Sequence, residues 1–291
     1  MTAQTYGVRN EPMSRHTSLH VGGPADSFVR VASEDDLRGA VAVTRQHELP
    51  IFVLGGGTNL LVADRGIRGV VIENAWSEAT VDGETVTAAS GTPTAHVAAV
   101  AARGGLLGLE WMATVPGTVG GAVHGNAGAF GTETADVILD AELMDLNGDA
   151  WTASRADLGY AYRTSALQGT PVIVVRARFH GTQGDRDTAV RRIKDMANER
   201  AAKQPLAQPN TGSIFRNPPG DFAGRLIEAA GLKGHRLGGA MVSEKHANFI
   251  VNAADATAAQ IRDLMRLCQR EVRERFGVDL VPEVELVGQW E

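Results

Sequence analysis

Two glycine-rich segments and three isolated polar residues carry the chemistry that can be read from this chain. Leu54-Gly55-Gly56-Gly57-Thr58-Asn59-Leu60-Leu61 follows the apolar run Ile51-Phe52-Val53-Leu54. A turn of this composition exposes backbone amides, with Thr58 and Asn59 as further donors, and suits a pyrophosphate held by N–H groups. It is not a dinucleotide fingerprint, because Leu60 stands in the third glycine's place and the chain continues strand-like. Nor is it a Walker loop, since no Gly-Lys-Ser/Thr follows. A plain glycine turn explains it equally well.

The second segment runs from Pro116 through Gly117, Thr118, Val119, Gly120, Gly121, Ala122, Val123, His124, Gly125, Asn126, Ala127, Gly128 and Ala129 to Phe130-Gly131. So little side-chain bulk lets backbone approach a large planar ligand closely. Val119, Val123 and Phe130 mark it as packed chain rather than a linker. His124 has no second histidine or carboxylate at ligand spacing, so an incidental lining role outweighs a metal. Arg163 in Tyr162-Arg163-Thr164-Ser165, Ser213 in Gly212-Ser213-Ile214-Phe215-Arg216-Asn217-Pro218, and Glu283 in Pro282-Glu283-Val284 complete the set. Singly, each reads as readily as a surface arginine, a turn serine or an edge-strand glutamate.

The elements that must position these residues follow from periodicity. Phe28–Val31 and Ile51–Leu54 read as strands around a helix opened by Ser33 and Asp36 at capping-box spacing, a β-α-β unit. Short strands at 60–62, 70–72, 81 and 86, a helix over 94–102, and strands at 141–145 and 171–179 follow. The polar stretch Gly181–Asp187 divides the chain, giving domains 1–185 and 186–291. Beyond it come helices at 188–202 and 223–230, a strand at 247–252, and a final helix. Thr257 and Gln260 cap that helix, and Ile261, Leu264, Met265, Cys268 and Val272 share one face.

Composition narrows the function. The chain has 291 residues with net charge −6 and no block of like charge, which argues against binding nucleic acid through phosphate contacts. Its one cysteine, Cys268, excludes an internal disulfide and reads as a buried structural thiol. No apolar run is long enough for a signal peptide or membrane span, so a cytoplasmic protein without membrane contact is expected.

In their order along the chain, these segments resemble the UDP-N-acetylenolpyruvoylglucosamine reductase family of peptidoglycan precursor synthesis. Besides the motifs above, the resemblance takes in Thr17-Ser18-Leu19 with Gly22-Gly23-Pro24-Ala25, Arg200 with Lys203-Gln204-Pro205, and Ala223-Gly224-Arg225-Leu226-Ile227-Glu228. It also includes Gly231-Leu232-Lys233-Gly234 and Ser243-Glu244-Lys245-His246-Ala247-Asn248-Phe249. It implies an α+β fold: an FAD-binding domain of the vanillyl-alcohol-oxidase type (PCMH), then a smaller α+β substrate-binding domain. The implied cofactors are noncovalent FAD and NADPH as reductant, with a UDP-sugar as substrate and no obligate protein partner.

Matched residue by residue, Arg163, Ser213 and Glu283 take the catalytic positions. Gly55, Gly56, Gly57, Thr58, Asn59, Pro116, Gly117, Thr118, Gly120, Gly121, Asn126, Gly128 and Arg200 match cofactor contacts. Lys203, Asn217, Lys233 and His246 match contacts to the UDP-sugar. Only a polar turn and one helix separate Phe179 from Arg200, so the family's inserted tyrosine loop is absent and the shorter subclass is implied. The competing readings are an alcohol or lactone oxidase of the same flavin fold and a non-catalytic flavin-binding module.

Overall fold

The computed structural model describes residues 7–290. Two compact units emerge among them: one of residues 7–8, 27–56 and 69–200, the other of 9–26, 57–68 and 201–290. This division differs from a single cut after residue 185, because two N-terminal stretches belong to the second unit.

The first unit is built on a five-stranded antiparallel sheet in the order Ala150–Ser154, Ile138–Asp145, Val172–His180, Thr85–Ala89, Ala79–Asp82. Strand alternation sends successive side chains to opposite faces. Ala88, Leu143, Val174, Ala177 and Phe179 enter one core with Val97, Ala98 and Ala101, while Ala89, Met144, Ile173 and Val175 enter another with Leu37, Ala40 and Val41. The helices supplying those partners are α1 (Glu34–Gln46) and α2 (Thr94–Arg103). Ser33 caps α1 by accepting from the Asp36 amide, as its spacing predicts. Strand Ile51–Leu54 lies parallel to Ile67–Asn74, which stands between it and Pro24–Val31, so the two strands of the expected β-α-β unit share a sheet without pairing directly. The unit also holds α3 (Val119–Gly125), α4 (Thr134–Val137) and most of α5 (Arg186–Lys203).

The second unit places α6 (Ala223–Ala229) and α7 (Ala258–Phe276) around one core with the antiparallel strands Arg236–Leu237, Ala240–Val242 and Ile250–Asn252. Leu19, Val21 and Leu61 bury in the same core, which explains why their stretches belong here. A parallel pair, Leu60–Val62 with Glu285–Val287, ties Asn59 to the chain after Glu283. The predicted capping box of α7 forms: Thr257 accepts from the Gln260 amide and Gln260 from that of Thr257. Asp64 adds a second cap, accepting from the amides of Ala258 and Ala259 at 2.8 and 2.9 Å. Cys268 is buried, and burial pushes its thiol pKa up to about 12. Among the described residues no helix is long and apolar enough to cross a membrane.

Candidate active site

In the first unit the two glycine segments meet. A β-carbon at Gly55 would stand 2.5 Å from Oγ1 of Thr118, so a side chain there would displace the start of the second segment. That segment does not lie flat, as its glycine content suggests, but winds into α3. The apolar positions Val119, Ala122 and Val123 have helical spacing and all are buried, so tertiary burial overcomes the low helix propensity of glycine. Two of its amides are spent inside the protein: Val119 donates to the Thr92 carbonyl at 2.9 Å and Gly120 to that of Ser90 at 2.7 Å. Gly56 and Gly121 remain exposed, while Gly117 and Gly128 are partly so. Small residues, backbone amides and the Thr118 hydroxyl are a donor set that fits a dinucleotide cofactor.

The α3 helix ends at Asn126, whose φ of 47° is left-handed and whose side chain is wholly buried. Its amide group is committed to the protein, donating to the Ala161 carbonyl and accepting from the Ala135 amide, both at 2.9 Å. The Asn126 side chain, matched by the resemblance to the cofactor, anchors the turn that carries Arg163. Ala161 and Thr164 exchange two backbone hydrogen bonds across that turn, and Arg163 sits at its tip with φ of 56°. The Arg163 guanidinium donates to the carbonyl of Gly128 at 2.8 Å and to that of Asn126 at 3.4 Å, with the Tyr162 ring 5.2 Å below. The arginine is thereby held along the glycine segment by two backbone carbonyls. Ser165 fastens the same turn by donating to the His124 carbonyl at 2.6 Å. Arg200, on α5, donates to the Thr114 carbonyl, and burial pulls its pKa below the usual guanidinium value.

In the second unit backbone pairing joins the segment that follows Ser213 to the segment that carries Glu283. Glu283 donates its amide to the Ile214 carbonyl at 2.8 Å, and Arg216 donates to that of Val281 at 2.9 Å. Asn59 then holds Glu283 from the other side. Its side chain donates to the Glu283 carbonyl at 3.1 Å, and its own carbonyl accepts from Glu285 at 3.0 Å. Like Asn126, Asn59 was expected at the cofactor and has a side chain engaged in positioning a catalytic candidate. Gly57 and Thr58 complete the turn, with Gly57 accepting from the Ser18 amide.

The substrate candidates form a looser group on the same unit. Lys233 pairs with Glu228 at 3.0 Å. Asn217 accepts from the Ala223 amide at 3.1 Å, steadying the start of α6. Lys203 is exposed at the end of α5. His246 is half-buried, edge-on to Phe249 at 5.0 Å, and its pKa is lowered by burial and by nearby Lys233. One residue escaped the sequence reading. Asn248, 3% exposed, bonds through its side chain to both the amide and the carbonyl of Phe215. Its only signal was its presence in the His246-Ala247-Asn248-Phe249 motif.

Comparison with known proteins decides the family. Residues 25–154 match a model described as an FAD binding domain, and residues 204–287 match the C-terminal domain of UDP-N-acetylenolpyruvoylglucosamine reductase. The reductase of Caldanaerobacter subterraneus subsp. tengcongensis is 43% identical over 281 residues, 96% of this chain and 93% of that one. The chain belongs to the UDP-N-acetylenolpyruvoylglucosamine reductase family. A second such reductase, from Symbiobacterium thermophilum, is 44% identical over 96% of this chain and 92% of its own. The solved reductase of Thermus caldophilus superposes with a TM-score of 0.80 at 36% identity, covering 94% of this chain and 97% of that one. The expected α+β class holds, with an FAD-binding domain followed by the reductase family's own C-terminal domain.

Proposed function

We propose that this protein is a cytoplasmic reductase that converts the enolpyruvyl group of UDP-N-acetylglucosamine enolpyruvate to the lactyl ether, giving UDP-N-acetylmuramate for cell-wall synthesis. The observation that supports this reading is the backbone pairing that joins the segment after Ser213 to Glu283, with Asn59 of the glycine turn bonding the Glu283 carbonyl. An oxidase acting on an alcohol has no use for that pair. When bound, FAD, reduced by NADPH, supplies a hydride for the enolpyruvyl methylene carbon.

The chain's own residues handle the charge and the proton. Hydride addition to an enol ether conjugated with a carboxylate places negative charge on the α carbon and the carboxylate. Arg163, carried on its left-handed turn, stabilises that charge. Ser213 holds the proton delivered to the α carbon; a hydroxyl is a weak acid, but the acceptor is strongly basic. Glu283 polarises the same end of the substrate. Lys203, Asn217, Lys233 and His246 bind the diphosphate and its neighbouring groups, serving an anionic ligand within an acidic protein. We assign Gly55 to Asn59, Pro116 to Thr118, Gly120, Gly121, Asn126 and Gly128, with Arg200, to noncovalent FAD. No nucleic acid, membrane or obligate protein partner enters this reading.

The test is spectroscopic. Purified protein should be yellow, bleach with NADPH under anaerobic conditions, and regain its colour on addition of the enolpyruvyl UDP-sugar. Rapid reoxidation by oxygen, with no response to the UDP-sugar, would replace this function with that of an oxidase.

A further inference from the structure

We propose that Asn248 is a positioning residue for the reaction, setting the Ser213 segment and the tautomer of His246 together through four hydrogen bonds. This rests on the roles given above to Ser213 and His246.

Two of the bonds come from the side chain. Oδ1 accepts from the Phe215 amide at 3.1 Å and Nδ2 donates to the Phe215 carbonyl at 2.8 Å, so the carboxamide acts as a strand partner for the residue two places after Ser213. The third comes from the Asn248 carbonyl, which accepts from the Ile214 amide at 2.9 Å. On their other side, Ile214 and Arg216 are paired with Glu283 and Val281. Residues 214–216 are therefore clamped from both flanks. The N-terminal continuation of that clamped strand is Ser213, preceded by Gly212 with φ of 76°.

The fourth bond reaches the histidine. The Asn248 amide donates to Nδ1 of His246 at 3.2 Å. A ring nitrogen that accepts carries no proton, so the proton of the neutral imidazole lies on Nε2. Burial and the charge of Lys233 lower the ring's pKa, opposed by a backbone hydrogen bond and by Glu228. Its orientation is fixed as well. Phe249 meets it edge-on, and a β-carbon at Gly224 of α6 would stand 3.1 Å from Cε1, so the glycine leaves room for the ring. His246 thus presents a fixed Nε2–H donor suited to an oxygen acceptor such as a phosphate or sugar hydroxyl. The residue that dictates this donor also seats the Ser213 strand. A carboxamide offers Phe215 one donor and one acceptor, whereas an ionised carboxylate of the same shape offers acceptors alone.

Two measurements test the proposal. In holoenzyme labelled with ¹⁵N-histidine, the His246 signal, assigned by its loss in His246→Gln, should report an unprotonated Nδ1 and a protonated Nε2 at neutral pH. The opposite tautomer, or an imidazolium, overturns it. This measurement needs no change at Asn248 and stands even if variants there fold poorly.

The second is Asn248→Asp, which keeps the acceptor for the Phe215 amide but, ionised, offers no donor to its carbonyl. Product formation in that variant should fall about 10²-fold at about pH 9 relative to flavin reduction by NADPH. It should then recover toward about pH 6 as the buried carboxyl takes up a proton and regains a donor. Lys233, Glu228 and His246 nearby, and Glu283 on the facing segment, are the charged or titratable groups around this position, so the wild-type profile is the reference. Equal loss of both half-reactions at every pH, or wild-type behaviour, overturns the proposal. If unsubstituted enzyme fails to turn over the enolpyruvyl UDP-sugar, the functional reading falls while the tautomer measurement still decides the geometry.

Discussion

At the scale of single residues, the assignment of Ser213 divides the reaction into two measurable halves. If Ser213 delivers a proton after hydride transfer, Ser213→Ala should leave flavin reduction by NADPH near wild type. Product formation should fall by about the 10²–10⁴-fold typical of a lost general acid. Ser213→Cys, which keeps a proton, should recover part of the rate, and stopped-flow absorbance of the flavin separates the steps. Arg163 makes a sharper geometric demand. Its guanidinium reaches two carbonyls, Gly128 at 2.8 Å and Asn126 at 3.4 Å, which a lysine ammonium cannot span in the same plane. Arg163→Lys should therefore retain flavin and lower kcat for product formation by about 10-fold or more, an outcome read from steady-state kinetics. A rise in KM alone would make Arg163 a binding residue.

At the scale of elements, what the sequence disclosed and what it hid have different physical causes. The α7 helix was legible to its cap, because Thr257, Gln260 and the buried stripe from Ile261 to Val272 are local signals. Helix α5 was legible through its charge and length, ending one residue beyond the expected 202. The α3 helix was not, since its glycines favour no local structure and its form depends on burying Val119, Ala122 and Val123. The strand expected over 247–252 shortens to Ile250–Asn252 because Asn248 is occupied in bracing Phe215. Arg163, Ser213 and Glu283 carry no local mark of function; they stood out only through the ordered resemblance of the whole chain. The Asp64 cap on α7 was equally hidden, since it joins residues 194 and 195 positions apart. Asp64 accepts two first-turn amides at the positive end of a long helix, so Asp64→Ala should cost about 1–2 kcal/mol. The melting temperature should drop by a few degrees, with flavin content unchanged, as followed by circular dichroism and flavin absorbance.

At the scale of the whole molecule, the assembly of each unit from separated stretches is the feature that no local pattern discloses. Leu19, Val21 and Leu61 look like ordinary strand residues, yet their burial with α6 and α7 takes residues 9–26 and 57–68 out of the N-terminal unit. The glycine turn consequently changes unit between Gly56 and Gly57. FAD held by such residues through hydrogen bonds alone should behave as a reversible ligand of the native chain. Mass action then requires that added FAD stabilise the protein, by about 2.7 kcal/mol at a hundredfold excess over its Kd. The thermal midpoint of flavin-depleted protein should climb steadily with FAD concentration, and acid or heat should release all the flavin to the supernatant. His124 is the residue at which a covalent bond would be sought, since its imidazole lies on α3 within the glycine segment. Flavin retained on the denatured chain, lost in His124→Ala, would overturn the noncovalent assignment. A midpoint indifferent to FAD would remove the glycine segments from the cofactor site.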